Sequence, residues 1–454
     1  ETLIANVFPA GAEVSYQWFV SDNNIAYTPL VNVTGPALVI DEDLEGKYIA
    51  VNVIGENSYQ GLLKSGTEPV SSKTSQLEVE LTEEELEQIQ KTNRLNSLLN
   101  QGYIPIESAE QFTKIGSGEE INGFNFSNSD NYVITTDIDL SNLSESFNGD
   151  LYLNGVLDGN NNIINDLELI GTNSLFRDNS VVILRNVIFF SPTRVSSLFS
   201  GVGLIKDAPS EDTSIINVHI ETGLVSSTSV FPQAPIGGFI GRQNSGTVVI
   251  SSSSFTGDIL STSDRIGGFA GDVDSTVNIY NSYFSGNING SDANNLGGFI
   301  GTQRGSSTEI INSFVVASLT ASNGVGGLVG YNSTQMDIKN SYFSGSLTII
   351  GDPTNYGPIY GQYFTEESPP TLENVHYYLR TDLNDIVEGL GGPDQNELDP
   401  ISNEYSSEFS EWSISDYLNY SNEVWVLGDE FGNITLPWLA WQEEPLPEQI
   451  INQP

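Results

Sequence analysis

The sequence contains no cysteine, which excludes disulfides, thiolate-bound zinc and a thiol nucleophile. It contains two histidines and no His-Glu-x-x-His, so zinc-peptidase chemistry of that kind is absent from it. Positive charge is scarce: 15 Lys and Arg face 59 Asp and Glu, a formal net charge of -44 over 454 residues. A chain this acidic has no basic surface with which to hold nucleic acid or anionic lipid. No apolar run reaches the ~18 residues of a membrane-spanning helix. Glu1 leads directly into Thr2-Leu3-Ile4-Ala5 without a signal-peptide pattern, as expected of a chain processed or cut from something larger.

Hydrophobic residues make up 38% and aromatics 10%, too apolar for wholesale disorder. There are 44 glycines, and Ser, Thr and Asn crowd the middle of the chain where strong helix formers are sparse. That profile predicts an all-β protein with many turns.

Residues 1–74 read as a small β domain. Val14–Val20 alternates with period two, Pro9-Ala10-Gly11 and Ser21–Asn24 are turns, and Trp18 is the expected core residue. Tyr16-Gln-Trp18 and Leu44-Glu-Gly-Lys-Tyr48 resemble an immunoglobulin-like module of prokaryotic surface proteins, which implies a β-sandwich without the usual Cys pair. Residues 75–102 change character. Thr82 and Glu85 form a capping box, predicting a linker helix that ends near Gly102.

An array of repeats occupies 103–375. Gly-Gly-Phe/Leu-x-Gly begins at Gly237, Gly267, Gly297 and Gly326, with a degenerate copy at Gly357, so the spacings are 30, 30, 29 and 31. A second signature, apolar-x-Asn-Ser-x-Phe, places Asn281, Asn312 and Asn340 in register, with Asn186, Asn217, Ser252 and Asn374 in the same place. A helix-poor repeat of ~30 residues predicts one coil of a right-handed parallel β-helix, about 35–40 Å long over seven or more coils. Phe239, Phe269, Phe299 and Leu328 should stack inward in one ladder, and Phe255, Phe284 and Phe343 in another. The Asn residues should form an amide ladder, and the glycines should supply left-handed backbone and close approach at corners. The tail, 376–454, holds Trp412, Trp425, Trp438 and Trp441 and is expected to cap the solenoid, with the linker helix at its other end.

The two signatures together resemble GLUG-motif repeats. Asp137-Ile-Asp139, Leu157-Asp-Gly159 and Asn433–Trp441 resemble the flanks of such arrays. The resemblance spans about 103–441 and implies large bacterial or archaeal surface proteins, adhesins, and the non-catalytic parts of immunoglobulin A peptidases.

Candidate chemistry is thin. His219 and His376 both follow a repeat position, which accounts for their placement. No Gly-x-Ser-x-Gly elbow stands in a hydrolase context. β-Helices can host polysaccharide-cleaving carboxylate pairs, for which Asp137/Asp139, Asp158 and Asp272/Asp274 are candidates by spacing. No Arg/Lys cluster is expected on one face of successive coils to neutralise an acidic sugar. Asp137, Asp139, Asp272 and Asp274 are also the candidate Ca²⁺ ligands, against solvated turn acids. Glycosylation sequons stand at Asn32, Asn125, Asn142, Asn289, Asn332, Asn419 and Asn433. Trp438 and Trp441 could stack on sugar rings or be buried as a cap.

The leading expectation is a non-enzymatic extracellular structural or adhesive protein at a prokaryotic cell surface: an S-layer, sheath or filament subunit, or an adhesin stalk. It would associate with itself or with other surface proteins and glycans, with divalent cations bridging acidic faces. Two alternatives stay open: a polysaccharide-active enzyme or sugar-binding module, and a non-catalytic fragment of a larger surface peptidase.

Overall fold

The computed structural model describes residues 2–4, 14–23, 27–30, 33–39, 43–44, 46–55, 60–64, 83–143, 147–171, 174–178, 180–190, 194–197, 202–208, 212–227, 234–350, 355–363, 370–379, 424–426, 434–436, 438–442 and 444–451. The chain divides into two compact units, Glu1–Tyr103 and Ile104–Pro454.

In the first unit, Val14–Ser21 pairs antiparallel with Tyr48–Gly55, flanked by Thr28–Pro29 and Gln60–Lys64. Thr2–Ile4 pairs with Ala37–Val39 as a second antiparallel ribbon. Trp18, Leu38, Leu44, Ile49 and Val51 are buried together, and the Trp18 indole N–H donates to the Gly35 carbonyl at 2.9 Å. The helix spans Glu83–Asn100, while Thr82 of the predicted capping box lies outside the described residues. It ends as expected at Gly102, whose φ of +89° no β-carbon disturbs. Tyr103 N–H reaches back to the Leu98 carbonyl and Gly102 N–H to that of Leu99, a Schellman closure.

The second unit is a parallel β-solenoid of about eight turns. Each central coil has a long limb bent at the Asn-Ser corner, for example Thr276–Tyr280 then Tyr283–Gly290. Two short strands follow, Asn295–Gly297 and Ile300–Gln303, before the chain enters the next coil. In the central coils strand lies in register on strand: Phe255 on Phe284 on Val315 on Phe343, and Ile266 on Leu296 on Val325. The two predicted apolar ladders are present. Phe239, Phe269 and Phe299 stand 4.9 Å apart, while Phe255 and Phe284 stack at 5.6 Å with Val315 between them and Phe343. One continuous core runs from Ile104 to Val375, because each coil buries its inner face only against its neighbours.

The Asn corner is built as expected and more fully. Asn186, Asn217, Ser252, Asn281, Asn312 and Asn340 all adopt left-handed backbone, φ between 47° and 54°. Asn tolerates that region because its short amide bonds locally. The amides bond coil to coil: Asn217 to Asn186 at 3.0 Å, Asn312 to Asn281 and Asn340 to Asn312 at 3.1 Å. The left-handed residue swings the following N–H out of the sheet ladder, and serine repairs the loss. Ser253, Ser282, Ser313 and Ser341 are wholly buried. The hydroxyls of Ser282, Ser313 and Ser341 each accept the N–H of the corner serine one coil back, at 3.1–3.2 Å. Each also donates to the carbonyl two residues earlier, at 2.7–2.9 Å.

The Gly-Gly-Phe corner meets one half of the expectation, close approach, and not the other. None of its glycines is left-handed; they are glycines because there is no room. A β-carbon on Gly267 would lie 2.0 Å from the Ala270 carbonyl oxygen, and one on Gly268 would lie 2.1 Å from that of Gly298 in the next coil. A β-carbon on Gly301, the last residue of the signature, would meet the Ile266 backbone N at 2.6 Å. Two strands are thus folded against each other at van der Waals distance. Pro358 holds the place of the second glycine in the last described coil, and proline has no N–H to donate onward.

At the start of the solenoid, a one-turn helix, Ala109–Phe112, is capped by Ser108. Phe112, Ile115 and Phe126 from this segment are buried in the common core, an apolar plug the sequence reading did not foresee. The C-terminal cap covers a flank. Trp425–Val426 pairs with Trp438–Leu439, and this strap lies on the outside of the long limb. Trp412 lies outside the described residues.

Candidate functional site

Two clusters on the solenoid wall could carry function. The first surrounds Asp272. Outward residues of the third strand align coil by coil as Asp207, Arg242, Asp272 and Thr302. Asp272 is fully buried. Arg265, on the neighbouring short strand of the same coil, places Nη1 at 2.6 Å from Oδ2. Arg304, in the turn one coil on, reaches both carboxylate oxygens at 2.8 Å. Arg242, one coil back, bonds Asp274 at 2.8 Å, and Arg304 bonds Asp274 at 3.0 Å. Burial pushes the Asp272 carboxyl up, against Arg265, Arg304 and Arg242. Burial also pushes on Asp274, but the hydrogen bond from Arg242 and the charge of Arg304 hold it below the usual range.

Three arginines therefore do gather on successive coils, contrary to expectation. They are also the partners that the structure gives the candidate Ca²⁺ ligands Asp272 and Asp274. Both carboxylates are engaged by guanidinium groups, which compensate a buried charge as a cation would. Asp158, wholly buried, accepts from Arg185 at 2.7 Å and from the Asn160 N–H at 2.9 Å. It is braced rather than poised over an open cleft. Asp139 caps the short turn Leu140–Asn142: bonds from the Ser141 hydroxyl, the Ser141 N–H and the Asn142 amide hold its carboxyl below the usual range. Asp137 accepts the Ile163 N–H at 2.8 Å one coil on. These two are turn acids bonded to backbone and neighbouring side chains. Among the described residues, no group of three or more His, Asp or Glu is placed to hold a metal ion.

Of the sequons, Asn125 and Asn289 are exposed. Asn142 is exposed, with its amide bonded to Asp139 at 2.7 Å. Asn332 is fully buried and donates to the Thr334 carbonyl, so the folded coil presents no acceptor there. It belongs to an inward column with Gln303, whose amide likewise bonds turn carbonyls. Asn32, Asn419 and Asn433 lie outside the described residues.

The second cluster is aromatic and faces outward. Two residues past each repeat Asn, the ladder reads His219, Ser254, Tyr283, Phe314, Tyr342, His376. Tyr283, Phe314 and Tyr342 stack face to face at 4.9 and 5.1 Å, within 7° of parallel. The C-terminal strap covers them with Trp425, Leu436 and Leu439. Gln449 donates to the Tyr342 hydroxyl at 2.7 Å. Tryptophans that could have met sugar rings from the outside are spent on this packing. The signal was present in the sequence, since the position after Asn-Ser is aromatic in three consecutive repeats. Reading Phe284 and Phe343 as the inward residues already implied that their predecessors face out.

No helix among the described residues is long and apolar enough to cross a membrane. The model of the GLUG motif matches residues 321–350, which run from the Gly-Gly-Leu corner through Asn340 into the following strand. No curated protein matches the chain. Four solved chains do. One is the crystal structure of a "putative immunoglobulin A1 protease" from Bacteroides ovatus, 18% identical with a TM-score of 0.43 over 75% of this chain and 93% of that one. Another is named "IgA1 Protease", 16% identical with a TM-score of 0.37 over 82% of this chain and only 29% of that one. The chain carries the GLUG motif, and carries it as coils of a parallel β-helix.

Proposed function

We propose that this chain is a non-catalytic, stiff spacer of a prokaryotic surface protein, outside the cell, whose contacts are made by its ends and its acidic faces. The observation that supports this most directly is the state of the candidate carboxylates. Asp158, Asp272 and Asp274 are all neutralised by arginine within the wall. A hydrolase needs one carboxyl free to give a proton and another free to attack or to activate water. Coils stacked strand on strand suit a load-bearing element, since backbone bonds and a core ladder hold them together and an amide ladder joins several of them. The net charge of -44 favours cation-bridged association with a second copy, or with other surface proteins and glycans. Calcium would act there between surfaces.

A second reading shares the architecture: a non-catalytic stretch of a larger surface peptidase. The GLUG motif at 321–350 favours it as much as it favours an adhesin or S-layer component. The test is negative-stain microscopy in millimolar Ca²⁺ and then in chelator, run beside an activity panel of polyuronates, neutral glycans and immunoglobulin A1. Ordered filaments or sheets that dissolve on chelation would support the assembling spacer. Separate rods in both conditions would favour the stretch of a larger protein. Product release from any substrate would overturn both.

A further inference from the structure

The outward aromatic column has one small member, Ser254, and the strap fills the gap it leaves. Trp441 sits between the residues on either side of Ser254, its ring centroid 5.0 Å from that of His219 and 5.4 Å from that of Tyr283. It lies within 16° of parallel to Tyr283, and its indole N–H donates to the Asn281 carbonyl at 2.9 Å. The column thus reads His219, Trp441, Tyr283, Phe314, Tyr342, with one ring supplied from 160 residues away in sequence.

The hydrogen bonds around His219 fix its state. Asn217 spends its amide N–H on Asn186, so its Oδ1 is the atom facing His219, at 3.0 Å from Nε2. An oxygen there needs an N–H, so Nε2 carries the proton. Nδ1 is then the acceptor, taking the Ser254 hydroxyl at 2.9 Å. The ring is fully bonded as a neutral imidazole. A second proton on Nδ1 would force the Ser254 hydroxyl to turn from donor to acceptor and put a charge beneath the indole.

We propose that Trp441 is the latch of the C-terminal strap and that protonation of His219 releases it, uncovering the Tyr283–Phe314–Tyr342 column.

Among the described residues, few charges are near enough to rescue an imidazolium. On its own strand Glu221 points outward two residues on, exposed to water. The coil before it presents Ile188, with Arg185 further back along that strand. The coils after it present Ser254 and the Tyr283 hydroxyl, which burial pushes up. The strap brings Glu444, exposed, three residues past Trp441. The indole face offers a cation some attraction; burial outweighs it and holds the ring down to about 4 from 6.5. A histidine depressed in the docked state favours docking above pH 6.5 and loses that contribution as pH falls toward 4. At pH 4.5 the docking equilibrium should weaken by up to roughly two orders of magnitude, the limit being reached when the strap supplies all of that burial.

Hydrogen–deuterium exchange on the full chain at pH 7 and pH 4.5, corrected for intrinsic rates, tests this. The wild type should lose protection in 434–451 at pH 4.5 while the core strands keep theirs. His219→Gln, or His219→Phe should the Gln variant misfold, should keep the strap protected at both values. Trp441→Ala should leave it open at both. A wild-type strap that stays protected at pH 4.5 would overturn the proposal. So would His219 variants that open like the wild type, or a Trp441→Ala strap that stays closed at pH 7.

Discussion

Each coil turns two kinds of corner, and they solve the same problem by opposite means. At the Gly-Gly-Phe corner the chain folds back by removing side chains, until carbonyl oxygens of the next coil occupy the place of a β-carbon. At the Asn-Ser corner it bends by adding side-chain bonds: Asn holds the left-handed residue, and Ser replaces the lost ladder bond. Where a further coil follows, the first kind tolerates nothing, because any atom added meets backbone; Pro358 stands only in the last described coil. The second can be degraded stepwise, because each bond is one of several. Ser252 shows this directly, sitting at φ 48° with no amide to offer and yet in register with its neighbours.

The sharpest way to break the comparison is Gly268→Ala. Its β-carbon would lie 2.1 Å from the Gly298 oxygen and 2.7 Å from the Phe284 ring, and neither can retreat without moving a coil. We expect a loss of about 4 kcal/mol or more, seen as a collapse of the thermal midpoint or failure to fold. A melting curve within a degree or two of wild type would mean that the corner is not closed by backbone contact.

Next in size is Asp272→Ala, which strips the carboxylate from beneath Arg265 and Arg304 on the outside of the same corner. Leaving half-buried guanidinium groups without the buried carboxylate they share should cost roughly 3 kcal/mol. Replacing Arg265 by Met as well should recover part of it, as a double-mutant cycle in denaturant would show. Simple additivity would mean that the cluster is three independent contacts. At the other corner Ser313→Ala should cost about 2 kcal/mol, because the Ser282 N–H then lacks its acceptor inside the wall. That loss should be about half that of the glycine variant.

The same contrast explains what could be read from the sequence. Glycine spacing and Asn-Ser-x-Phe gave the coil length, the inward ladders and the register, because a solenoid repeats its constraints every ~30 residues. Of the two reasons expected for the corner glycines, close approach holds and left-handed backbone does not, because the constraint comes from the neighbouring coil and not from the local turn. The Asp272 cluster was missed for a related reason. Arg242, Arg265 and Arg304 look scattered along the chain, and only the pairing of Arg242 with Asp272 with Thr302 gathers them. The acid pair Asp272/Asp274 suggests a cation, and the cations it meets are arginines of its own coil and of the coils before and after. The strap was harder still. Its tryptophans announced a cap, but nothing in their spacing said that Trp441 would enter a gap opened by Ser254.

The smallest effect is the most discriminating, because it should have the opposite sign. Ser252→Asn restores the missing member of the amide ladder between Asn217 and Asn281. Asn is better suited than Ser to a φ of 48°. Its amide would donate to Asn217 Oδ1, which has a second lone pair beside the one facing His219, and its own oxygen would accept from Asn281. A gain of about 0.5–1 kcal/mol follows if the bonds between neighbouring amides contribute as exposed-to-half-buried hydrogen bonds do. The comparison variant is Asn312→Ser, which opens the same gap two ladder steps away and should lose about as much. If both changes destabilise, the ladder bonds are incidental to a corner set by the buried serines. If they move the midpoint in opposite directions by similar amounts, the amides carry the corner and the gap at Ser252 is a weak rung in the middle of the rod.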